Sequence, residues 1–234
     1  MISGFKPFFL MSISCFANEE TKEDLITIFN IPAEKVHAVP LASTFDQVTP
    51  SKPADFPEMD KYILFVGKRD IYKNFYLPVL ALTELLKADK HLNILCTGHA
   101  FSPAELQLFD DLGIRNQLKS IFLKNDNELA YAYKNAALFM FPSMYEGFGF
   151  PLLEAFACDC PVITSDGGSL PEVAGDAALY FNPKNFQQIQ DAASSVLFDS
   201  NLRSQLVQKG KERLSQFSWD RCRAETIEVY KKAV

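Results

Sequence analysis

From Tyr62 onward the chain alternates short, uninterrupted apolar runs with longer segments whose apolar positions recur at helical spacing. The runs fall at 62–67, 92–98, 120–123, 137–143, 161–164 and 178–181. Lacking polar alternation, they predict strands covered on both faces, as in a parallel sheet. Helical patterns at 75–87, 103–112, 127–135 and 152–157 lie between them. The order predicts an α/β fold, an open, doubly wound parallel sheet of about six strands. Past Asn185 no strand pattern recurs. The stretch to Ala233 reads as three helices, the last opening at Ser218 and Trp219 with the serine as its cap.

Ahead of Tyr62 the rhythm differs. Residues 9–16 predict a short buried strand, 19–29 a helix and 36–41 a second strand. The stretch 44–60 carries Pro50, Pro53 and Pro57 among acids and hydroxyl residues, the composition of an exposed connection. The expected organisation is an N-terminal stub and interdomain segment over 1–45, a linker over 46–60, and a ligand-binding domain with C-terminal helices over 61–234.

Composition narrows the function without naming it. With 234 residues, 48% hydrophobic and 22% charged, the chain is long enough for a substantial core. A formal net charge of −6 argues against a nucleic-acid partner. The cysteines, Cys15, Cys96, Cys158, Cys160 and Cys222, are odd in number and form no C-x-x-C pair, which points to a reduced, cytoplasmic setting. The opening MISGFKPFFLMSISCFA has one lysine before a short apolar run but no clean small-x-small site, so a buried strand is preferred there over a signal peptide. No run approaches the roughly 18 apolar residues that span a bilayer, leaving peripheral association at the inner face as the only membrane contact expected. Metal-ligand spacing, a Walker loop and G-x-G-x-x-G are all missing, so hydride transfer and metallohydrolysis fall away and no cofactor or metal is expected.

In a doubly wound sheet, ligands sit beyond the carboxyl ends of the strands. Four junctions there carry candidate chemistry. In EGFGFPLLE, Gly147 and Gly149 flank Phe148 where the backbone must turn, and Pro151 suits a first helical turn. Free amides and the helix dipole make such a terminus favourable for a phosphate. Glu146 precedes the turn and should face the cleft, and Glu154 lies one turn into the helix, where it can accept two hydroxyls, as from a ribose diol. The same residues also fit a plain tight turn with a solvated acid. The loop GKRDIYKN supplies Lys68, Arg69 and Lys73, cations able to neutralise a departing diphosphate, or simply a solvated basic loop. His99 after Gly98, and Gly167–Gly168 ahead of Glu172, are weaker signals: an incidental loop histidine, a turn, and a helix-start acid.

The segment EGFGFPLLEAFACDCPVITSDGGSLPEVAGDAALYFNP, with seven residues between Glu146 and Glu154, resembles the donor-site signature of retaining, GT-B-fold glycosyltransferases, family 4. YILFVGKRDIYKN resembles that family's glycine-plus-basic loop, FSWDRCRAETIEVYKKA its C-terminal crossing helix, and EETKEDLITIFNIPAEKVHAVPLAS the segment leading into its donor domain. The resemblance implies that the doubly wound sheet is a Rossmann-like half of a GT-B fold. It implies that Glu146 meets hydroxyls of the transferred sugar, that Glu154 binds the ribose, and that the amides of Gly147, Phe148, Gly149 and Phe150 contact sugar and diphosphate. Lys73 would hold the leaving diphosphate, aided by Lys68 or Arg69; Gly67, Gly98 and Leu153 would complete the donor site, and Leu123, Lys124 and Asn125 would face the nucleobase.

A nucleoside diphosphate sugar is the partner so implied, with a glycan or lipid-linked acceptor and a role in polysaccharide synthesis. Family members transfer with retention and without a metal, the leaving phosphate assisting the acceptor on the same face. A complete GT-B enzyme also carries an N-terminal acceptor domain, and none is expected within this sequence. The chain is therefore expected to be a donor domain inactive in isolation, one subunit of a split enzyme pairing with an acceptor-domain chain, or a noncatalytic module that associates through an exposed apolar face.

Overall fold

The computed structural model of the chain describes residues 14–232. The strand expected over 9–16 begins outside them, and its described end is β1 (Ser14–Phe16). Helix α1 (Glu19–Phe29) crosses from β1 to β2 (Val36–Ala38), and the two strands pair in parallel as a small separate sheet. The larger sheet is built from β3 (Lys61–Phe65), β4 (Leu92–Thr97), β5 (Leu118–Ile121), β6 (Leu138–Phe141), β7 (Val162–Ser165) and β8 (Ala178–Phe181). All its pairings are parallel, in the order β5-β4-β3-β6-β7-β8. After β5 the chain returns to the other side of β3, so crossovers leave β3 and β6 in opposite directions and open a crevice beyond their carboxyl ends.

Alternation along the strands explains why the apolar runs are unbroken. On β3, Tyr62 and Leu64 face one core layer and Ile63 and Phe65 the other, and all four are buried. The first layer is closed by α5 (Asp126–Lys134) and α6 (Phe150–Ala157), the second by α2 (Tyr76–Ala81), α4 (Pro103–Asp111) and α8 (Phe186–Phe198). Helix starts follow side-chain chemistry: Asn18, Ser102, Asn125 and Asn185 each accept the amide three residues on. Helix α9 (Ser200–Leu214) packs on α6, and α10 (Trp219–Lys232) turns Cys222 and Val229 toward Val39 beside the small sheet.

Several boundaries differ from the sequence pattern. The helix expected over 75–87 is broken at Leu82 into α2 and α3 (Thr83–Ala88), where the Thr83 hydroxyl donates to the Val79 carbonyl at 3.0 Å and bends the chain. Strand β5 ends at Ile121, leaving Phe122 exposed in a loop. A short helix, α7 (Leu170–Ala174), follows Gly167–Gly168. The stretch read as an exposed connection lies along α5: Phe45 is buried edge-on to Tyr133, Phe56 packs on Tyr131, and Asn127 donates to the Thr49 carbonyl at 2.8 Å.

Candidate functional site

The crevice between β3 and β6 is shaped first by its backbone. Gly67 and Gly98 follow β3 and β4 with φ of 123° and 115°, where any side chain would be strained. Residues Ile71–Lys73 form one 3-10 turn that Asn74 closes in the left-handed region. The Asn74 amide then donates to the carbonyls of Pro142 (3.3 Å) and Pro183 (2.7 Å), and Met144 N–H donates to the Tyr72 carbonyl at 2.8 Å. The basic loop after β3 is thereby stitched to the end of β6. Its product is an ion pair: Lys73 Nζ lies 2.6 Å from Glu146 Oε1, each side chain 15% exposed, with the ammonium 5.3 Å from the ring centroids of both Tyr72 and Phe141.

The loop between β6 and α6 is held from two sides. Gly149 takes φ 101°, and a Cβ there would lie 2.9 Å from Leu170. Phe148 is buried against Phe150 and Phe217. The Glu146 carbonyl accepts from the Ser169 hydroxyl at 2.8 Å, and a Cβ on Gly168 would lie 3.0 Å from the Glu146 nitrogen. The glycine pair after β7 therefore does more than turn the chain; it lets that loop lie flat beneath Glu146. From the opposite side, the Asn18 amide donates to the Gly147 carbonyl, and Tyr145 donates to Asp24 on α1 at 2.9 Å. The Glu172 carboxylate, read from sequence as a helix-start acid, accepts the Glu19 amide at 2.9 Å.

Gly147 is the exception in this loop. Its φ is not left-handed and a Cβ there would meet nothing within 4 Å, so folding does not require the missing side chain. No side chain caps the N-terminus of α6, whose free amides and dipole favour an anion beside that open space.

Glu154 lies on α6 with its carboxylate accepting from the Tyr133 hydroxyl at 3.0 Å. Burial pushes its carboxyl above the ordinary 4.5, with the Tyr133 hydrogen bond opposing and Asp126 adding to the rise. A carboxyl raised on folding lends stability that is present below 4.5 and lost as pH climbs through the raised value. Glu154→Gln, which keeps an acceptor for Tyr133, is accordingly expected to raise the melting temperature near neutral pH. The gain should fade toward acid, as melting curves between about pH 4 and pH 8 would show.

The two remaining cations part company. Arg69 Nε is 2.5 Å from Glu105 Oε1, its guanidinium donates to the carbonyls of His99 and Ala100 at 3.0 Å, and it stacks 4.8 Å from the Phe101 ring centroid. Burial raises the Glu105 carboxyl, but the hydrogen bonds from Arg69 and Ser102 outweigh it and leave the group below its ordinary value. Lys68 is exposed and makes no ion pair among the described residues. An open cleft of about 490 Å³ runs between the ends of β3 and β4, with Gly67, Lys68, Gly98, His99 and Glu105 in its wall. Glu146 and Glu154 are outside that wall, toward β6 and α6.

Other expected site residues have structural work. Asn125 caps α5 by accepting the Glu128 amide at 3.0 Å, and the Lys124 amide donates to Glu128 at 2.8 Å. Leu153 is fully buried in the core, while Leu123 is half-buried. Sequence reasoning missed Tyr133, Asn18, Glu105 and Ser169 as partners of this site. Only Glu105 carried a local signal, the S-x-x-E capping box with Ser102. Among the described residues no group of three His, Cys, Asp or Glu side chains is placed to hold a metal ion, and no helix is long and apolar enough to cross a membrane.

Comparison with known proteins places the chain in a family. The chain is similar to O-antigen chain mannosyltransferase B of Escherichia coli, at 32% identity over 95% of this chain and 60% of that protein. It is also similar to the MMP alpha-(1->4)-mannosyltransferase of Mycolicibacterium hassiacum, at 27% identity over 90% of this chain and 52% of the relative. The chain thus spans little more than half the length of these relatives. Among solved structures, sucrose-phosphate synthase from Thermosynechococcus elongatus superposes with a TM-score of 0.78 at 22% identity, covering 95% of this chain and 59% of that one. Anabaena HepE, solved in complex with UDP and glucose, gives 0.78 at 16% identity, covering 94% and 63%. These likenesses show the fold, one half of a GT-B architecture. Residues 48–213 match the model of a single family, and the chain therefore belongs to the glycosyl transferases group 1.

Proposed function

We propose that this chain is the donor-binding half of a retaining, family 4 glycosyltransferase, taking a nucleoside diphosphate sugar for transfer to a glycan or lipid-linked acceptor. The observation that supports it best is the meeting of Lys73 and Glu146 at the switch point of the sheet, beside the uncapped start of α6 and the open space at Gly147. In this reading Lys73 and the α6 amides offset charge on the diphosphate as the glycosidic bond breaks. Glu146 accepts hydroxyls of the sugar, Glu154 those of the ribose, and Lys68 is the second cation because Arg69 is committed to Glu105. Gly67, Gly98 and the loop 123–125 border the nucleoside. Relatives named as mannosyltransferases support mannose as the sugar. A cytoplasmic chain, peripheral at the membrane, suits a lipid-linked acceptor.

Calorimetry with UDP, GDP and ADP sugars tests the reading. One of them is expected to bind, and Lys73→Ala and Glu154→Ala should each weaken it by at least about 1 kcal/mol, as on losing a charge-assisted hydrogen bond. Absence of binding across the panel would sink the donor-site reading. Turnover needs an acceptor-binding surface, supplied by further residues of the same polypeptide or by a separate chain; activity that arises only on adding such a domain is the expected result.

A further inference from the structure

The cation best placed for a diphosphate has a partner within the chain itself. Lys73 Nζ is 2.6 Å from Glu146 Oε1, and both side chains are largely shielded from water. The ammonium sits by the rings of Tyr72 and Phe141, and the backbone at Glu146 is fixed by the Ser169 hydroxyl and by its close approach to Gly168.

We propose that the Lys73–Glu146 pair is a selectivity device that makes the site prefer an intact sugar nucleotide over the spent nucleoside diphosphate. A diphosphate arriving alone has two options. It can share Lys73 with Glu146, which sets two anions side by side, or it can displace the carboxylate and leave a shielded charge without a partner. Either is unfavourable. A sugar attached to the same diphosphate brings hydroxyl donors that satisfy the carboxylate as Lys73 turns to phosphate. After transfer the hydroxyls leave with the sugar, Glu146 reclaims Lys73, and the diphosphate is released. This rests on the donor-site reading for the sugar, whereas the competition between Glu146 and a diphosphate for Lys73 does not.

The test is a set of dissociation constants at one ionic strength. Wild type is expected to bind an intact sugar nucleotide of the UDP, GDP or ADP series more tightly than its diphosphate. Glu146→Gln is expected to bind inorganic pyrophosphate and the free diphosphate more tightly than wild type does, by at least about fivefold, the lower bound for lifting a like charge from beside a phosphate. It should lose most of the preference for the sugar-bearing form. Unchanged or weaker pyrophosphate binding in Glu146→Gln overturns the device, as does a wild type that prefers the free diphosphate. If pyrophosphate binding rises while no sugar nucleotide binds either protein, the competition for Lys73 stands, and both the donor-site reading and the sugar preference fall. Should Glu146→Gln prove unstable, the two wild-type constants decide alone.

Discussion

Arg69→Ala is expected to destabilise the chain by about 2 to 3 kcal/mol, the upper part of the range for losing hydrogen bonds to a charged group. The pair is nearly closed to water, with Arg69 10% and Glu105 8% exposed. The substitution leaves the Glu105 carboxylate with only the Ser102 amide and the Tyr76 hydroxyl, frees the carbonyls of His99 and Ala100, and removes the guanidinium from the Phe101 face. Glu105 titrates below its ordinary 4.5 in the folded chain, so its contribution is present above that value and lost as pH falls through the lowered one. The defect in Arg69→Ala should therefore be largest near neutral pH and shrink in acid, as urea unfolding at several pH values would show. Lys68→Ala is the contrast: at an exposed position it should leave stability within about 0.5 kcal/mol. If Lys68 is the second phosphate cation, that variant should lose nucleotide affinity instead. A large affinity loss from a conservative Arg69→Lys with unchanged stability would reverse the assignment.

Gly167→Ala is expected to cost about 3 kcal/mol, the upper end for an overpacked site, and to impair ligand binding as well. Its new methyl would press into the Met144 carbonyl oxygen, which belongs to backbone and cannot rotate aside. Met144 is tied through its amide to the Tyr72 carbonyl, so the strain passes to the turn carrying Lys73 and to the loop carrying Glu146. Gly147→Ala provides the counterpart. A Cβ there meets nothing, so stability should stay within about 0.5 kcal/mol of wild type. Any binding defect in that variant is steric exclusion of ligand. Equal melting temperatures for Gly167→Ala and wild type would refute the packing argument.

The contrast between those glycines shows what a sequence conveys and what it withholds. Uninterrupted apolar runs foretold a parallel sheet, because residues such as Tyr62 and Ile63 must both be covered. The Gly-x-Gly turn and basic loop were legible because a strand-to-helix junction has few workable chemistries. Strand order was not, since nothing local in 137–143 says that it returns to lie beside β3. Arg69 looked equal to its neighbours for a similar reason: the acid that claims it sits far along the chain on α4, where Glu105 reads only as half of a capping box. Gly167 looked like turn chemistry because the carbonyl it accommodates belongs to a different loop. Tyr133 was indistinguishable from any core tyrosine until α5 and α6 were set side by side.

The return of the chain to β3 also bears on how the molecule is assembled. Strands β3 and β6 share only the pairings Ile63 with Leu138 and Leu64 with Phe139, and β4, β5 and their helices intervene in sequence. Among the strand pairings that closure spans the longest loop, and long-range pairing slows folding. A chain that has formed β3, β4 and β5 can be compact and yet hold Lys73 with no Glu146 opposite. A ligand that needs both Lys73 and Glu146 can bind only a chain in which β6 has docked, so its binding free energy is added to the completed fold alone.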